Sequence, residues 1–198
     1  LPPPGPAASV TASVVPSWLA EVRQRLEAAL DRDPLVLGEN VARPIELAVD
    51  QPAAVGMDRI CNAAAAHDRL QRSCVVVSFG TAITVDLVND EGMFAGGAIL
   101  PGVRMQLAAL HDRAAQLPLV EPAFPQNVVG RTTAEAIQNG VCRGIAGSVR
   151  WLVETYATEI HHWPQVVATG GDAVHIAPHC DLLDNVVADH GLRGIGQA

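Results

Sequence analysis

A chain of 198 residues, 49% of them hydrophobic, can bury a sizeable core as one domain or two small ones. Its net charge of -8 argues against the broad basic surface that grips nucleic acids, and no basic run interleaved with aromatics occurs. No apolar stretch reaches the roughly 18 residues that a membrane span needs. Cys61, Cys74, Cys142 and Cys180 are scattered and form no C-x-x-C pair, which points to reduced thiols in a cytoplasmic protein. His175, His179 and Cys180 lie close together but match no zinc spacing, so a packing or surface role is expected. The opening LPPPGPAASV lacks the basic and apolar regions of a signal peptide, and its first residue, Leu1, suggests that the natural start lies elsewhere.

In chain order, Thr11–Val15 is a short apolar run suited to a strand. Pro16 sits where a helix can begin without losing a needed N–H, and Trp18, Leu19, Val22, Leu26 and Leu30 follow at helical spacing. Leu35–Leu37 is a second strand candidate, closed by Gly38. After Gly56, the run Ile60–Ala66 is a good helix former. Three β-rich runs come next, Cys74–Phe79, Ala82–Val88 and Met93–Leu100. The turn-forming sequences Gly80-Thr81 and Asn89–Gly92 separate them, which predicts an antiparallel meander.

Pro101-Gly102 ends the meander, and a helix is predicted with Val103, Leu107, Leu110 and Leu117 on one face. A loop with Pro118, Pro122 and Pro125 leads to Gly130. Thr132–Glu135 then reads as a capping box opening one long helix through Ile137, Val141, Ile145 and Val149. Val166–Thr169 is a further strand, turned by Gly170-Gly171-Asp172 into another helix. A three-strand meander followed by helix, strand and helix is the half-unit of an actin-like ATPase fold, an α/β class. Before residue 60 only strand, helix and strand occur, the tail of a comparable unit. The expected division is therefore residues 1–72, the remnant of a first domain, and 73–198, a second.

Several motifs can carry chemistry. Gly56-Met57-Asp58-Arg59 places a carboxylate and a guanidinium together at a helix entrance. Asp58 can accept a proton from an attacking hydroxyl, and Arg59 can hold a substrate carboxylate with its planar fork. The plainer reading makes Asp58 a helix cap and Arg59 a solvated first-turn residue. Gly80 lets a phosphate approach backbone amides, and Thr81 adds a hydroxyl; the plainer reading is an ordinary tight turn. Gly170 and Gly171 allow a flat adenosine to lie against the backbone, or simply serve a strained connection. The glycines of Gly96–Gly102 suggest that a ligand or another subunit approaches that strand closely. Thr132 and Thr133 are most simply a cap, and His111, His161, His162 and His190 surface groups.

Taken together, GMDRICNAAAA, SFGTAITVD, GGAILPGVRMQLAAL, LPLVE, GRTTAEAIQNG and VVATGGD resemble the successive signatures of type III pantothenate kinases, from about Ala12 to Asp172. The resemblance implies ATP-dependent phosphorylation of pantothenate, the first step of coenzyme A synthesis. It also implies a two-domain actin-like fold, a cytoplasmic homodimer, Mg²⁺ with ATP, and a monovalent cation, potassium or ammonium. It implies that Asp58 is the proton acceptor, that Gly56, Met57, Asp58 and Arg59 with Thr133 contact pantothenate, and that Gly80, Thr81, Gly170 and Gly171 contact ATP. No nucleic-acid or membrane partner is expected.

Three departures accompany it. The family's Asp-x-Gly-Asn-Thr-type phosphate loop, expected upstream of Ala12, is absent from this sequence, which reads as N-terminally truncated. Ser78 stands where the family binds its monovalent cation with an aspartate, and a hydroxyl supplies oxygen without charge. Val49 stands where a pantothenate-contacting tyrosine is expected. These departures keep an alternative open: a catalytically degenerate relative acting as a binding or transcriptional accessory protein.

Overall fold

Continuous apolar, β-branched runs, buried on both faces, build the central strands of the sheet. In the computed structural model, which describes residues 10–11, 16–31, 33–187 and 194–195, strands β3 (Cys74–Phe79), β4 (Ala82–Val88) and β5 (Phe94–Pro101) form an antiparallel meander. All three match the predicted strands to within a residue. Their turns close as the sequence requires: Gly80 N donates to Ala82 O at 3.1 Å, and the Asn89 side chain accepts from Met93 N at 2.8 Å. Strand β6 (Gln165–Thr169) joins β3 in parallel and β7 (Asn185–Val186) joins β6, giving the order β5-β4-β3-β6-β7. An antiparallel meander continued by parallel strands, with helices on both faces, is the half-unit of actin-like ATPases. The α/β fold class expected from the sequence is the one observed.

The two faces of the sheet bury different partners. Val75, Val77, Phe79, Ile83 and Val85 point toward helices α3 (Val103–Arg113) and α5 (Gly144–Glu159) and form the larger core. Val76, Val88 and Phe94 point the other way, onto helix α2 (Met57–Leu70), where Ile60 and small alanines allow close approach. Helix α2 starts after Gly56 and ends at Gln71, whose φ of 52° turns the chain out of the helix. Gly56 is thus the cap. Asp58 lies inside the first turn and does not cap by its side chain, so the plainer reading of that residue is not met.

Three elements differ from their sequence reading. Helix α3 stops at Arg113, because Ala114 is extended, and Leu117 reaches the larger core from the following loop. The helix predicted after Thr132 is not continuous: α4 (Thr133–Gln138) passes into a π turn at Asn139–Arg143 before α5 begins. That widening lets buried Asn139 donate to Asn127 O at 2.8 Å, while Arg143 reaches Pro125 O at 3.0 Å. The proline loop's carbonyls are satisfied in this way rather than left orphaned. The capping box also closes differently. Thr132 accepts from Glu135 N at 3.2 Å, but the Glu135 carboxylate accepts from Arg131 N, one residue before the cap.

Near the beginning, β1 (Val10–Thr11) pairs in parallel with β2 (Leu35–Val36), and α1 (Pro16–Leu30) starts at Pro16 as predicted. Residues 12–15 of the predicted first strand, the side chains of Trp18, Leu19 and Leu30, and His190 lie outside the described residues.

All four cysteines are free and buried, and burial pushes the thiols of Cys61 and Cys74 up to about 11 and about 12. Thiolate is the reactive form. In the folded protein a disulfide-exchange reagent at neutral pH should therefore label none of the four within minutes, and all four in denaturant. Rapid labelling of the native chain would contradict this packing. His179 stacks on Phe124, with ring centroids 3.7 Å apart, the packing role expected of that cluster.

Candidate active site

The parallel pairing of β3 with β6, with Ser78 opposite Thr169, brings the turns that follow both strands to one end of the sheet. Gly80-Thr81 and Gly170-Gly171 therefore meet, although they are far apart in sequence. Gly170 has φ of +99°, and a Cβ there would lie 2.3 Å from the Phe79 carbonyl oxygen. The backbone itself demands that glycine. Gly80 and Gly171 are different. A Cβ at Gly80 would make only a 3.4 Å contact, and one at Gly171 would meet nothing within 4 Å. Internal packing does not require glycine at either position, so both leave open backbone that a ligand can approach. Thr81 is exposed beside them. Gly102 N donates to Thr81 O at 3.0 Å, which draws the start of α3 to the same end. Arg104 follows, with Nε 3.9 Å from Asp172 Oδ1. The sequence reading passed over this guanidinium beside the glycine turns.

On the α2 face the geometry is governed by a residue that the sequence reading did not single out. Asp86 is 1% exposed, and its carboxylate accepts from Arg59 Nε at 3.0 Å and also from Arg59 Nη2. Burial pushes Asp86 up, and the Arg59 hydrogen bond and charge pull it back without cancelling the effect. The guanidinium lies over Phe94, 5.3 Å from the ring centre. Arg59 is therefore not the solvated residue of the plainer reading, and a grip through its Nε edge is taken. A two-pronged grip on a substrate carboxylate must use Nη1 with the remaining Nη2 hydrogen.

Asp58, one residue earlier, is exposed and makes no side-chain hydrogen bond among the described residues. It stands in the positive first turn of α2, close enough for its charge to bear on both Asp86 and Cys61. Gly56 O accepts from Arg59 N at 3.1 Å and so builds that turn. Met57 turns away toward Gly38, where a Cβ would lie 2.8 Å from Met57 Cε. Val49 lies across β5, with Cγ1 3.5 Å from where a Gly96 Cβ would stand.

The close approach suspected at Gly96–Gly102 comes from within the chain. A Cβ at Gly97 would lie 2.1 Å from Val85 O and 2.7 Å from Asp86 Oδ1, so neighbouring strand β4 requires that glycine.

Ser78 and Thr84 are register partners, and Thr169 is Ser78's partner on the other side. The three hydroxyls therefore share one row on the α2 face; buried Thr84 Oγ1 lies near enough to Asp86 to favour its charged form but meets no partner at full hydrogen-bond geometry among the described residues. The row offers neutral oxygens only, and Asp86 on the same face is committed to Arg59. Among the described residues no uncommitted carboxylate faces this row, so a cation there would be held by neutral oxygens alone. Thr133 is not brought to Asp58. It opens α4, whose Ile137 belongs to the core on the opposite face.

Among the described residues no helix is long and apolar enough to cross a membrane. A structure described as a conserved putative Baf family transcriptional activator from Campylobacter jejuni superposes with a TM-score of 0.67. It covers 96% of this chain and 81% of that one, and at 20% identity it shows a shared fold. A type III pantothenate kinase from Syntrophotalea carbinolica is 40% identical over 94% of this chain and 73% of its own length. Another from Saccharopolyspora erythraea is 40% identical over 92% and 71%. The family model for type III pantothenate kinase matches residues 3–155. The glycine turns, the α2 entrance and these likenesses agree, and the chain belongs to the type III pantothenate kinase family.

Proposed function

We propose that this chain transfers the γ-phosphoryl group of ATP to the primary hydroxyl of pantothenate, giving 4'-phosphopantothenate and ADP. The observation that carries this reading is the α2 entrance. An exposed carboxylate, Asp58, adjoins a guanidinium, Arg59, that is already fixed in place by Asp86. Asp58 takes the hydroxyl proton as that oxygen attacks phosphorus, and Arg59 holds the carboxylate at the far end of pantothenate. Gly80, Thr81, Gly170 and Gly171 receive ATP at the sheet end. A divalent cation bound with ATP would neutralise its phosphates, and Arg104, paired with Glu121 at 3.2 Å and 3.9 Å from Asp172, stands at the same sheet end. The test is a coupled assay of ADP release with and without pantothenate. Pantothenate-dependent release supports the reading, and release that ignores pantothenate rejects it.

Because the Ser78 row supplies no charge, turnover is expected to change less than twofold when sodium replaces potassium. Ser78→Asp should introduce a potassium requirement. Strong potassium dependence in the unaltered chain would refute this part of the reading.

The reading includes a homodimer working in the cytoplasm. An apolar groove between β5 and α5 supports the dimer: Trp151 is 65% exposed there, beside Ala98, Leu100 and the bare backbone of Gly144 and Gly147. A subunit interface also offers a way for Thr133 to reach a pantothenate held at Asp58. Trp151→Asp should halve the mass measured by sedimentation. An unaltered chain that is monomeric at micromolar concentration would remove the dimer from this account. The two-domain division at residue 72 belongs to the same proposal.

A further inference from the structure

We propose that Asp86 is a positioning residue: its buried carboxylate fixes the Arg59 guanidinium so that the Nη1 end faces the substrate carboxylate. This rests on the pantothenate reading above and deepens it. Four observations support it. First, Asp86 is the one charged residue pointing inward from β4, within the run Ile83–Val88, and it is 1% exposed. A carboxylate in that position is retained against a large desolvation cost, and Arg59 supplies the opposite charge.

Second, the contacts define an orientation. Nε and Nη2 both donate to Oδ1, so one edge of the guanidinium plane faces the sheet and the other end faces away. A free arginine samples many rotamers, and the residual entropy would weaken any grip on a ligand. Third, Phe94 holds the flat side, 5.3 Å from Cζ, which removes rotation about the remaining axis. Fourth, the neighbouring strand makes room for this carboxylate. Gly97 lies opposite Asp86 in register, and a Cβ there would lie 2.7 Å from Oδ1 and 2.8 Å from Cα of Asp86. An ion pair that served only stability would gain from a tightly packed apolar replacement. This one instead leaves Arg59 14% exposed by its side chain, beside exposed Asp58.

The test measures binding, so it does not depend on turnover. Pantothenate and its neutral alcohol analogue, in which the carboxylate becomes a hydroxymethyl group, are titrated calorimetrically into the unaltered chain, Asp86→Asn, Arg59→Gln and the double variant. Asp86→Asn should weaken pantothenate roughly 10- to 100-fold and change the affinity of the neutral analogue less than threefold. The double variant should bind pantothenate no more weakly than Arg59→Gln alone, since the carboxylate acts through the guanidinium. Equal weakening of both ligands, or additive losses in the double variant, would mean that Asp86 only supports the fold.

If Asp86→Asn does not fold, the unaltered chain still decides. The Arg59 Nε–H, assigned in ¹⁵N spectra by its loss in Arg59→Lys, should exchange slowly with solvent before any ligand is added. Exchange as fast as that of a free guanidinium overturns the proposal. An unaltered chain that binds no pantothenate rejects the substrate and this role together. An unaltered chain that binds it, with Asp86→Asn binding equally well, rejects this role alone.

Discussion

Replacing Asp58 with Asn lowers pantothenate-dependent turnover by a factor of about 10²–10⁴, the range ascribed to a positioned general base. The unfolding temperature should stay within about 2 °C of its starting value, because surface changes away from packed features rarely exceed ~0.5 kcal/mol. Both halves follow from the same geometry. Asp58 is exposed, caps nothing and makes no side-chain hydrogen bond among the described residues, so the fold does not depend on it. The isosteric amide keeps the shape and removes the base. Pantothenate affinity should change little, since the carboxylate grip belongs to Arg59. Turnover within threefold of the unaltered chain would remove Asp58 from the chemistry.

The second large effect separates two adjacent glycines. Gly170→Ala must place a methyl group 2.3 Å from the Phe79 carbonyl oxygen at a φ of +99°. Strain of this kind costs about 1–3 kcal/mol before the collision is counted, and at ~2–4 °C per kcal/mol the unfolding temperature should drop by roughly 2–12 °C from strain alone. Gly171→Ala should behave in the opposite way. Its Cβ meets nothing within 4 Å, so stability should be unchanged. If nucleotide lies against that backbone, the affinity for ATP should fall about tenfold, corresponding to ~1.4 kcal/mol. Differential scanning fluorimetry and ATP titration on the two variants read both effects. A Gly171→Ala protein with unchanged ATP affinity would move the nucleotide away from this turn.

The meander was legible in the sequence because two signals coincide there. Runs of β-branched and apolar residues give the strands, and Gly80-Thr81 and Asn89–Gly92 give the breaks, so β3 to β5 fell within a residue of prediction. The fold class followed from the order of elements. The π turn at Asn139–Arg143 was not legible, since its cause is tertiary: the proline loop needs donors from Asn139 and Arg143. Leu117 misled in the same way. Its spacing continues the α3 stripe, but it reaches the core from a loop.

For the site, Asp58, Arg59 and the glycine turns could be named from residue types and order. Their arrangement could not, because it depends on β3 lying beside β6 and on α2 lying over β4. Asp86 left one usable signal: a lone carboxylate at an inward position of an apolar strand must have a buried partner. Its mate lies 27 residues earlier, and no local pattern connects the two. Gly97 was read as inviting an outside partner, when the chain's own Asp86 and Val85 already fill that space.

The central claim is phosphoryl transfer to pantothenate, and ³¹P spectroscopy of the chain with Mg-ATP and pantothenate reads it most directly. The account predicts a new phosphomonoester resonance that grows in step with ADP and is absent when pantothenate is omitted. ATP left intact, or ADP formed together with inorganic phosphate alone, would contradict it.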